Sequence, residues 1–408
     1  MSNLATLSAR IVPTDPLRRK LIAIRLAESI GKGIFLSGSI VYFTLHVGLT
    51  ARQVGLGLSA AGMSGLISSV TFGMIADRVG PRRLLTIIFL ALAVGFGSYS
   101  LVDSSAAFFI VVMCVGFVEY GTSPTNSALI GTLVPANERV RLKALMRSVF
   151  NIGFSVGIGV AAVAALSRNL LVVIPLTTAA LMVVAAMLVT RLPEGEPKPV
   201  PVGFRRFAAV RDRGFLRVIG VSAVLASHIT LVLVTLPLWA LTHTPVPHSV
   251  VPLLLIFNTV FVILFQVRAS KGADTVAGAS RLARRSGIWL AGGCLVVAVT
   301  ALDDNVVLLT GALIAAMLIM SVAEVMQSAS AWGLGFGLAP EHAQGEYLGA
   351  FELSVITQNI AGPALLSGIV VAYGFWGWTA IAAVVLTAAA AVVPVTRRRA
   401  ALVPAGVS

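Results

Sequence analysis

The sequence predicts an all-α integral membrane protein, with about twelve transmembrane helices arranged as two pseudo-symmetric six-helix halves. Three observations predict it: the apolar content, the recurrence of runs long enough to cross a bilayer, and the alternation of cationic loops between them. Hydrophobic residues make up 57% of the 408 and charged residues 11%, and the mean hydropathy is +0.95. That is more apolar surface than a water-soluble core can hide, so the solvent for most of the chain is lipid.

A hydrocarbon core of about 30 Å needs about 20 apolar residues per helix. Runs of that kind fall near 21–46, 53–76, 84–102, 106–134, 144–166, 170–190, 214–241, 249–267, 286–302, 305–334, 347–373 and 375–396. The first twenty residues hold Arg10, Arg18, Arg19 and Lys20 without a separate apolar region and cleavage site, so no cleaved signal peptide is expected. Cys114 and Cys294 lie inside predicted spans, where a thiol behaves as a small hydrophobe. No disulfide, metal site or cofactor is expected.

The formal charge of +14 would point to nucleic acid in a soluble domain, but its placement points to topology. Arg78, Arg82 and Arg83, then Arg139, Arg141, Lys143 and Arg147, then Arg268, Lys271, Arg281, Arg284 and Arg285 occupy alternate loops, and Arg397, Arg398 and Arg399 follow the last span. Of the 30 Lys and Arg only Arg52 and Arg168 fall in the opposite loops. By the positive-inside rule this is a multi-pass protein of the cell (inner) membrane with both termini cytoplasmic, and nucleic-acid binding is not expected. Labelling of Arg205→Cys on a background lacking Cys114 and Cys294 is predicted from the cytoplasmic side alone. Labelling from outside intact cells would reverse the assignment.

The stretch from Leu192 to Arg213, with Pro193, Pro197, Pro199 and Pro201, interrupts the hydrophobic pattern near mid-chain. The expected organisation is therefore an N-terminal half (1–191), a cytoplasmic linker (192–213) and a C-terminal half (214–408). A gapless shift of 205 residues places Glu119 on Glu324, Ser123 on Ser328, Leu129 on Leu334, Leu133 on Leu338, Pro135 on Pro340 and Gly157 on Gly362. The shift equals half the chain length within one residue, as an internal duplication requires.

After the second span the chain reads G-M-I-A-D-R-V-G-P-R-R-L-L from Gly73 to Leu85. This resembles the loop signature of the major facilitator superfamily, with Gly73, Ala76, Asp77, Arg78, Gly80, Arg82 and Leu85 matching, Ile75 replacing a leucine and Pro81 replacing a basic residue. The resemblance implies the twelve-helix fold of that family and a cytoplasmic latch in which Gly73, Asp77, Arg78, Gly80 and Arg82 are conformational residues. Physically, small residues allow close helix approach, an acid at the membrane edge faces a helix N-terminus or an arginine, and the basic run meets anionic headgroups. The loop from Gln266 to Arg285 lacks the same core, so no matching second latch is expected. The fifth span, with Asn151, Gly153, Gly157 and Gly159, resembles the family's antiporter motif only in part, because Ile158 stands at its proline position. The arginine that many proton-coupled members carry in the fourth span is also missing.

Charges inside spans are costly and face protein or a wet cavity. Arg25, Glu28 and Lys32 are spaced three then four apart and share one helical face, so Glu28 can pair with either cation. Lys32 lies roughly 16 Å into the first span at 1.5 Å per residue, too deep to snorkel, whereas Arg25 either snorkels or joins the cavity face. Glu119 sits mid-way in the fourth span, with Ser123 and Asn126 at four and seven residues beyond, and Glu324 occupies the matching level of the tenth; at least one of the two is expected to face the transport cavity, the alternative being that both are structural partners for Lys32 or a helix dipole. Glu352 in the eleventh span is read as a gate residue or as ordinary capping. His228, in the seventh, either titrates or is a hydrogen-bonded structural histidine. The expected pathway set is Arg25, Glu28, Lys32, Glu119, Asn126, Glu324 and Glu352.

No H-E-x-x-H motif, His/Cys cluster or paired nucleophile and base is present in the sequence, so an enzyme is not expected. The resemblance implies a monomeric secondary transporter moving a small, partly hydrophobic molecule, with protons as the coupling ion. Efflux of a drug or natural product is the leading form. Proton- or ion-coupled import, or facilitated passage, of a small metabolite on the same scaffold is the alternative, and a non-transporting membrane receptor or membrane enzyme is a remote third.

Overall fold

The structure is a computed structural model and describes residues 15–167, 170–194 and 207–401. The first fourteen residues, Arg168, Pro197, Pro199, Pro201 and Arg205, and with them most of the expected linker, lie outside the described residues. Among the described residues the chain forms twelve long helices and no strand. They are α1 (Pro16–Val41), α2 (Ala51–Val79), α3 (Pro81–Ser98), α4 (Ser105–Leu133), α5 (Ala136–Ala164), α6 (Val173–Thr190), α7 (Arg213–His243), α8 (Val250–Ala269), α9 (Val276–Val299), α10 (Val306–Leu338), α11 (Gln344–Tyr373) and α12 (Phe375–Ala400). Eleven are long and apolar enough to cross a membrane. The twelfth, α1, has the length but carries Arg25, Glu28 and Lys32 along it.

Helix starts follow from local chemistry. The Asp15 carboxylate accepts from the Leu17 amide at 3.0 Å, ahead of Pro16 in the first turn. Thr50 and Gln53 form a reciprocal capping box on α2, and Asn305 accepts from the amides of Val307 and Leu308 to open α10. Each supplies an acceptor to amides that have no partner inside the helix.

The chain divides into two compact units. The first comprises Met1–Pro135, Leu145–Val202 and His342–Gly349; the second comprises Ala136–Ala144, Gly203–Glu341 and Ala350–Ser408. In the first unit α1 packs on α6, α2 on α4 and α3 on α6. α1 also meets α5 backbone to backbone, because a Cβ at Gly33 would overlap the Phe154 carbonyl oxygen and one at Gly157 the Ile30 carbonyl. Without a hydrophobic force between helices in lipid, such close approach is what fastens them. In the second unit α9 packs on α10 and α12, α12 on α7, and α8 on α10.

Three spans expected to be continuous depart from a regular α-helix, and the first of them, expected over 21–46, ends in a π turn at Tyr42–His46. In α4 the helix breaks at Gly121, whose amide turns back to the Val118 carbonyl at 3.0 Å. Pro124 cannot donate to the Tyr120 carbonyl, and the Phe72 ring fills the space a side chain at Gly121 would need. In α7 a wider π turn runs from Leu231 to Thr235 just before Pro237, where the carbonyl four residues earlier again loses its donor. Pro124 and Pro237 are legible in the sequence beside two of these departures, whereas the turn at Ala226–Ser227 earlier in α7 and the π turn at Tyr42–His46 have no proline beside them.

Candidate transport site

α1 presents Arg25, Glu28 and Lys32 on one face, as their spacing predicts, and the first unit brings Glu119 of α4 within reach of Lys32. Arg25 Nη1 donates to Glu28 Oε2 at 2.8 Å, Lys32 Nζ pairs with Glu28 Oε1 at 2.7 Å, and the same Nζ reaches Glu119 Oε1 at 2.5 Å. Lys32 therefore bridges two carboxylates on different helices at mid-span depth. The two carboxylates differ. The Glu28 side chain is 2% exposed and engaged by two cations through both oxygens, whereas Glu119 is 24% exposed and engaged through one oxygen by Lys32 alone. Its Oε2 is buried with no hydrogen-bond partner.

Arg25 does not take the snorkelling alternative. Its guanidinium holds Glu28 and stands 4.5 Å from the centroid of the Phe150 ring of α5, a cation–π contact of about 1 kcal/mol where partly desolvated. The cluster carries two positive and two negative groups, the balance that makes charge tolerable away from water. Asn126 is buried two turns beyond Glu119, but the break at Gly121 means that Glu119, Ser123 and Asn126 do not continue one straight helical face.

Glu324 and Glu352 belong to the second unit. Glu324 is buried, and Asn258 of α8 donates from one amide nitrogen to Glu324 Oε2 at 2.9 Å and to Ser321 Oγ at 3.0 Å. At the position matching Lys32 by the 205-residue shift stands Pro237, so the repeat does not supply a second lysine there. Glu352 is half-buried on α11. His228 is buried, its Nδ1 lying 3.2 Å from the Leu225 carbonyl oxygen. Asn258, Phe150 and Ser321 were not singled out by sequence reasoning. Asn258 carried a signal, as a lone amide in the middle of an apolar run, whereas Phe150 and Ser321 carried none.

The motif after α2 resolves into separate roles. The Asp77 carboxylate accepts from the amides of Gly345 and Glu346 at 2.7 and 2.9 Å, at the start of α11, where the helix leaves donors unpaired and the macrodipole favours an anion. Gly73 makes this approach possible, because a Cβ there would overlap the Gly345 carbonyl oxygen. Gly80, at φ +93°, makes the turn into α3. Arg82 does not pair with Asp77; it donates to the Thr190 carbonyl at the end of α6 and pairs with Glu194 at 3.3 Å. Arg78 is exposed.

The second unit has a contact of another kind at the matching place. The 205-residue shift carries Gly73 onto Gly278, Asp77 onto Leu282 and Gly345 onto Val140. In the second unit Val140 is buried with Ala273 and Ala329, and Leu282 and Trp332 pack against them. An apolar contact occupies the place where the first unit has two charge-assisted hydrogen bonds.

The Major Facilitator Superfamily model matches residues 21–356. The chain belongs to the major facilitator superfamily. Two solved members of this fold align over nearly the whole chain. One is a bacterial homologue of the iron transporter ferroportin in its outward-facing state, with TM-score 0.73 and 14% identity over 95% of this chain and 100% of that one. The other is the human organic anion transporter MFSD10 (TETRAN), with TM-score 0.67 and 14% identity over 93% and 100%. Identity that low carries the fold alone. Among curated relatives, a putative niacin/nicotinamide transporter, NiaP of Bacillus subtilis (strain 168), is 31% identical over 83 residues, 20% of this chain and 21% of the relative. An uncharacterised transporter of the superfamily, YdeE of Escherichia coli (strain K12), is 24% identical over 140 residues, 34% and 35% respectively. The chain thus matches about a fifth and a third of the length of these relatives.

Proposed function

We propose that this superfamily member is a monomeric secondary active transporter of the inner membrane, both termini cytoplasmic, which moves a small, partly hydrophobic molecule by alternating access of its two halves and couples that movement to protons. The observation that carries the reading is Lys32 shared between Glu28 and Glu119 at 2.7 and 2.5 Å. A cation held by two carboxylates on two helices can change partner when one carboxylate is protonated, which is what coupling to a proton demands. Efflux of a drug or natural product is the leading form. Import of a small metabolite is the second reading, favoured by the match to a putative niacin/nicotinamide transporter.

In this reading Glu119 is the principal proton carrier and Glu324 a secondary one, while Glu28, saturated by two cations, organises the site. Asn126 and Glu352 remain pathway candidates, and Gly73, Asp77, Arg78, Gly80 and Arg82 serve the latch. In proteoliposomes holding the full chain, substrate flux is expected to respond to an imposed pH gradient. Glu119→Gln is expected to abolish gradient-driven accumulation while keeping downhill exchange. Glu324→Gln is expected to reduce accumulation less. Wild-type proton-coupled flux in both single variants and in the double variant would make these carboxylates structural and end the coupling proposal.

A further inference from the structure

The ion cluster of the first unit also defines what kind of molecule it accepts. Lys32 carries three N–H donors and Arg25 five, and three carboxylate oxygens answer them: both oxygens of Glu28 and one of Glu119. Both cations keep part of their side chains accessible, 22% for Arg25 and 19% for Lys32. Hydrogen-bond donors are in surplus, and they are positively charged. On the acceptor side, Glu28 Oε1 and Glu119 Oε2 are both buried without a hydrogen-bond partner; Glu28 Oε1 lies 2.7 Å from the Lys32 ammonium, so Glu119 Oε2 is the one with no cation against it. A proton can occupy such an atom; an ammonium group cannot, because it needs several acceptors around it.

Charge balance selects among the possible occupants. The empty cluster is neutral, with Arg25 and Lys32 against Glu28 and Glu119. A cation added to it leaves one uncompensated positive charge inside the membrane, and an anion added alone leaves one negative charge. Either costs several kcal/mol in a low-dielectric site. One anion together with one proton on Glu119 restores neutrality. The step balances: a proton from water joins the Glu119 carboxylate, the Lys32–Glu119 pair breaks, Lys32 stays an ammonium, and the N–H it frees passes to the incoming anion. Glu28 keeps Arg25 and Lys32 throughout. The titratable groups within electrostatic range of Glu119 are Lys32, with Glu28 and Arg25 behind it, and the phenols Tyr99 and Tyr120.

We infer that the substrate is a small organic monoanion, a carboxylate or sulfonate on an apolar body, bound by Lys32 and Arg25 beside Phe150 and moved together with one proton carried by Glu119. This rests on the transporter reading and fixes the substrate class and stoichiometry that reading leaves open. Proton and anion then cross in the same direction without net charge, inward on a proton gradient or outward on the gradient of an accumulated acid.

The test uses the full-length protein in proteoliposomes with a pH dye inside, and four probes of similar body: benzenesulfonate, which does not cross lipid unaided, benzylamine, benzamide and the zwitterion phenylalanine. Benzenesulfonate uptake is expected to rise at least tenfold with an inward proton gradient, to acidify the lumen one proton per anion, and to ignore a potential set by potassium and valinomycin. Lys32→Gln is expected to lower that uptake at least tenfold, and Lys32→Arg to recover part of it. Glu119→Gln is expected to leave anion movement that no longer acidifies the lumen and now follows the potential. That change of voltage response is one a merely structural residue would not cause. Transport of benzylamine, benzamide or phenylalanine with no movement of benzenesulfonate overturns the anion assignment and leaves the transporter. Voltage-driven benzenesulfonate movement in the unaltered protein overturns the proton on Glu119. No movement of any probe above protein-free liposomes overturns the anion assignment together with the transporter reading.

Discussion

Glu28→Gln is expected to be the most destabilising single substitution in the ion cluster, lowering stability by about 3–5 kcal/mol, the cost of removing one partner from a buried pair. Glu28 is 1% exposed and is held at 2.8 Å by Arg25 and at 2.7 Å by Lys32. Glutamine keeps the shape and one acceptor but leaves two cations, seven residues apart on one face, with Glu119 as the remaining anion. Thermal unfolding of the detergent-purified protein should show the loss. Glu119→Gln should cost clearly less, because Glu119 is more exposed and makes one ion pair rather than two. Adding Arg25→Gln to Glu28→Gln should recover part of the stability by removing the orphaned charge. Equal stability of Glu28→Gln and Glu119→Gln would mean that the cluster is solvated and that Glu28 is not its keystone.

How much of this was readable in the sequence depended on the range over which each feature is determined. The twelve helices were legible because length and apolarity are local properties, and every expected span overlaps an observed helix. The pairing of Glu28 with Arg25 and Lys32 was legible for the same reason, since offsets of three and four on one helix put side chains together. The choice of Glu119 as the other partner of Lys32 is set by where α1 and α4 stand within the first unit, and spacing along either helix does not separate Glu119 from Glu324. Glu324 shows the limit from the other side: the repeat places it opposite Glu119 by sequence, yet Pro237 stands where a second lysine would have to be, and Asn258 of α8 is a partner that the repeat does not point to. The straight face drawn through Glu119, Ser123 and Asn126 failed at Gly121, although Pro124 was there to warn of it. Asp77 was recognisable as a residue that would meet a helix N-terminus or an arginine, but that it meets the start of α11, more than 260 residues away, is a property of the fold alone.

Asp77→Asn should weaken the hold on the start of α11 by about 1–3 kcal/mol, the range for losing charge from a charge-assisted hydrogen-bonded group. The carboxylate accepts from two successive amides, Gly345 and Glu346; an asparagine offers one oxygen and places an NH2 group, a donor, against the other amide. Since 1.4 kcal/mol is a tenfold change in an equilibrium constant, the constant for closing this clasp should fall by roughly 5- to 150-fold. Gly73→Ala should act on the same contact by another route, since its new Cβ would overlap the Gly345 carbonyl while the charge at Asp77 stays. The apolar counterpart built from Val140 and Leu282 contains no such charge, so Leu282→Ala should change its packing without altering the salt dependence of the first clasp. Labelling rates of a single cysteine placed at Gln344, on a background lacking Cys114 and Cys294, should rise in Asp77→Asn and in Gly73→Ala and stay at the reference rate in Leu282→Ala. Substrate affinity measured at equilibrium should change far less than turnover, because Asp77 touches α11 and none of Arg25, Glu28, Lys32 or Glu119. Unchanged labelling in both Asp77→Asn and Gly73→Ala would show that the two hydrogen bonds do not hold α11, and the latch role would be lost with them.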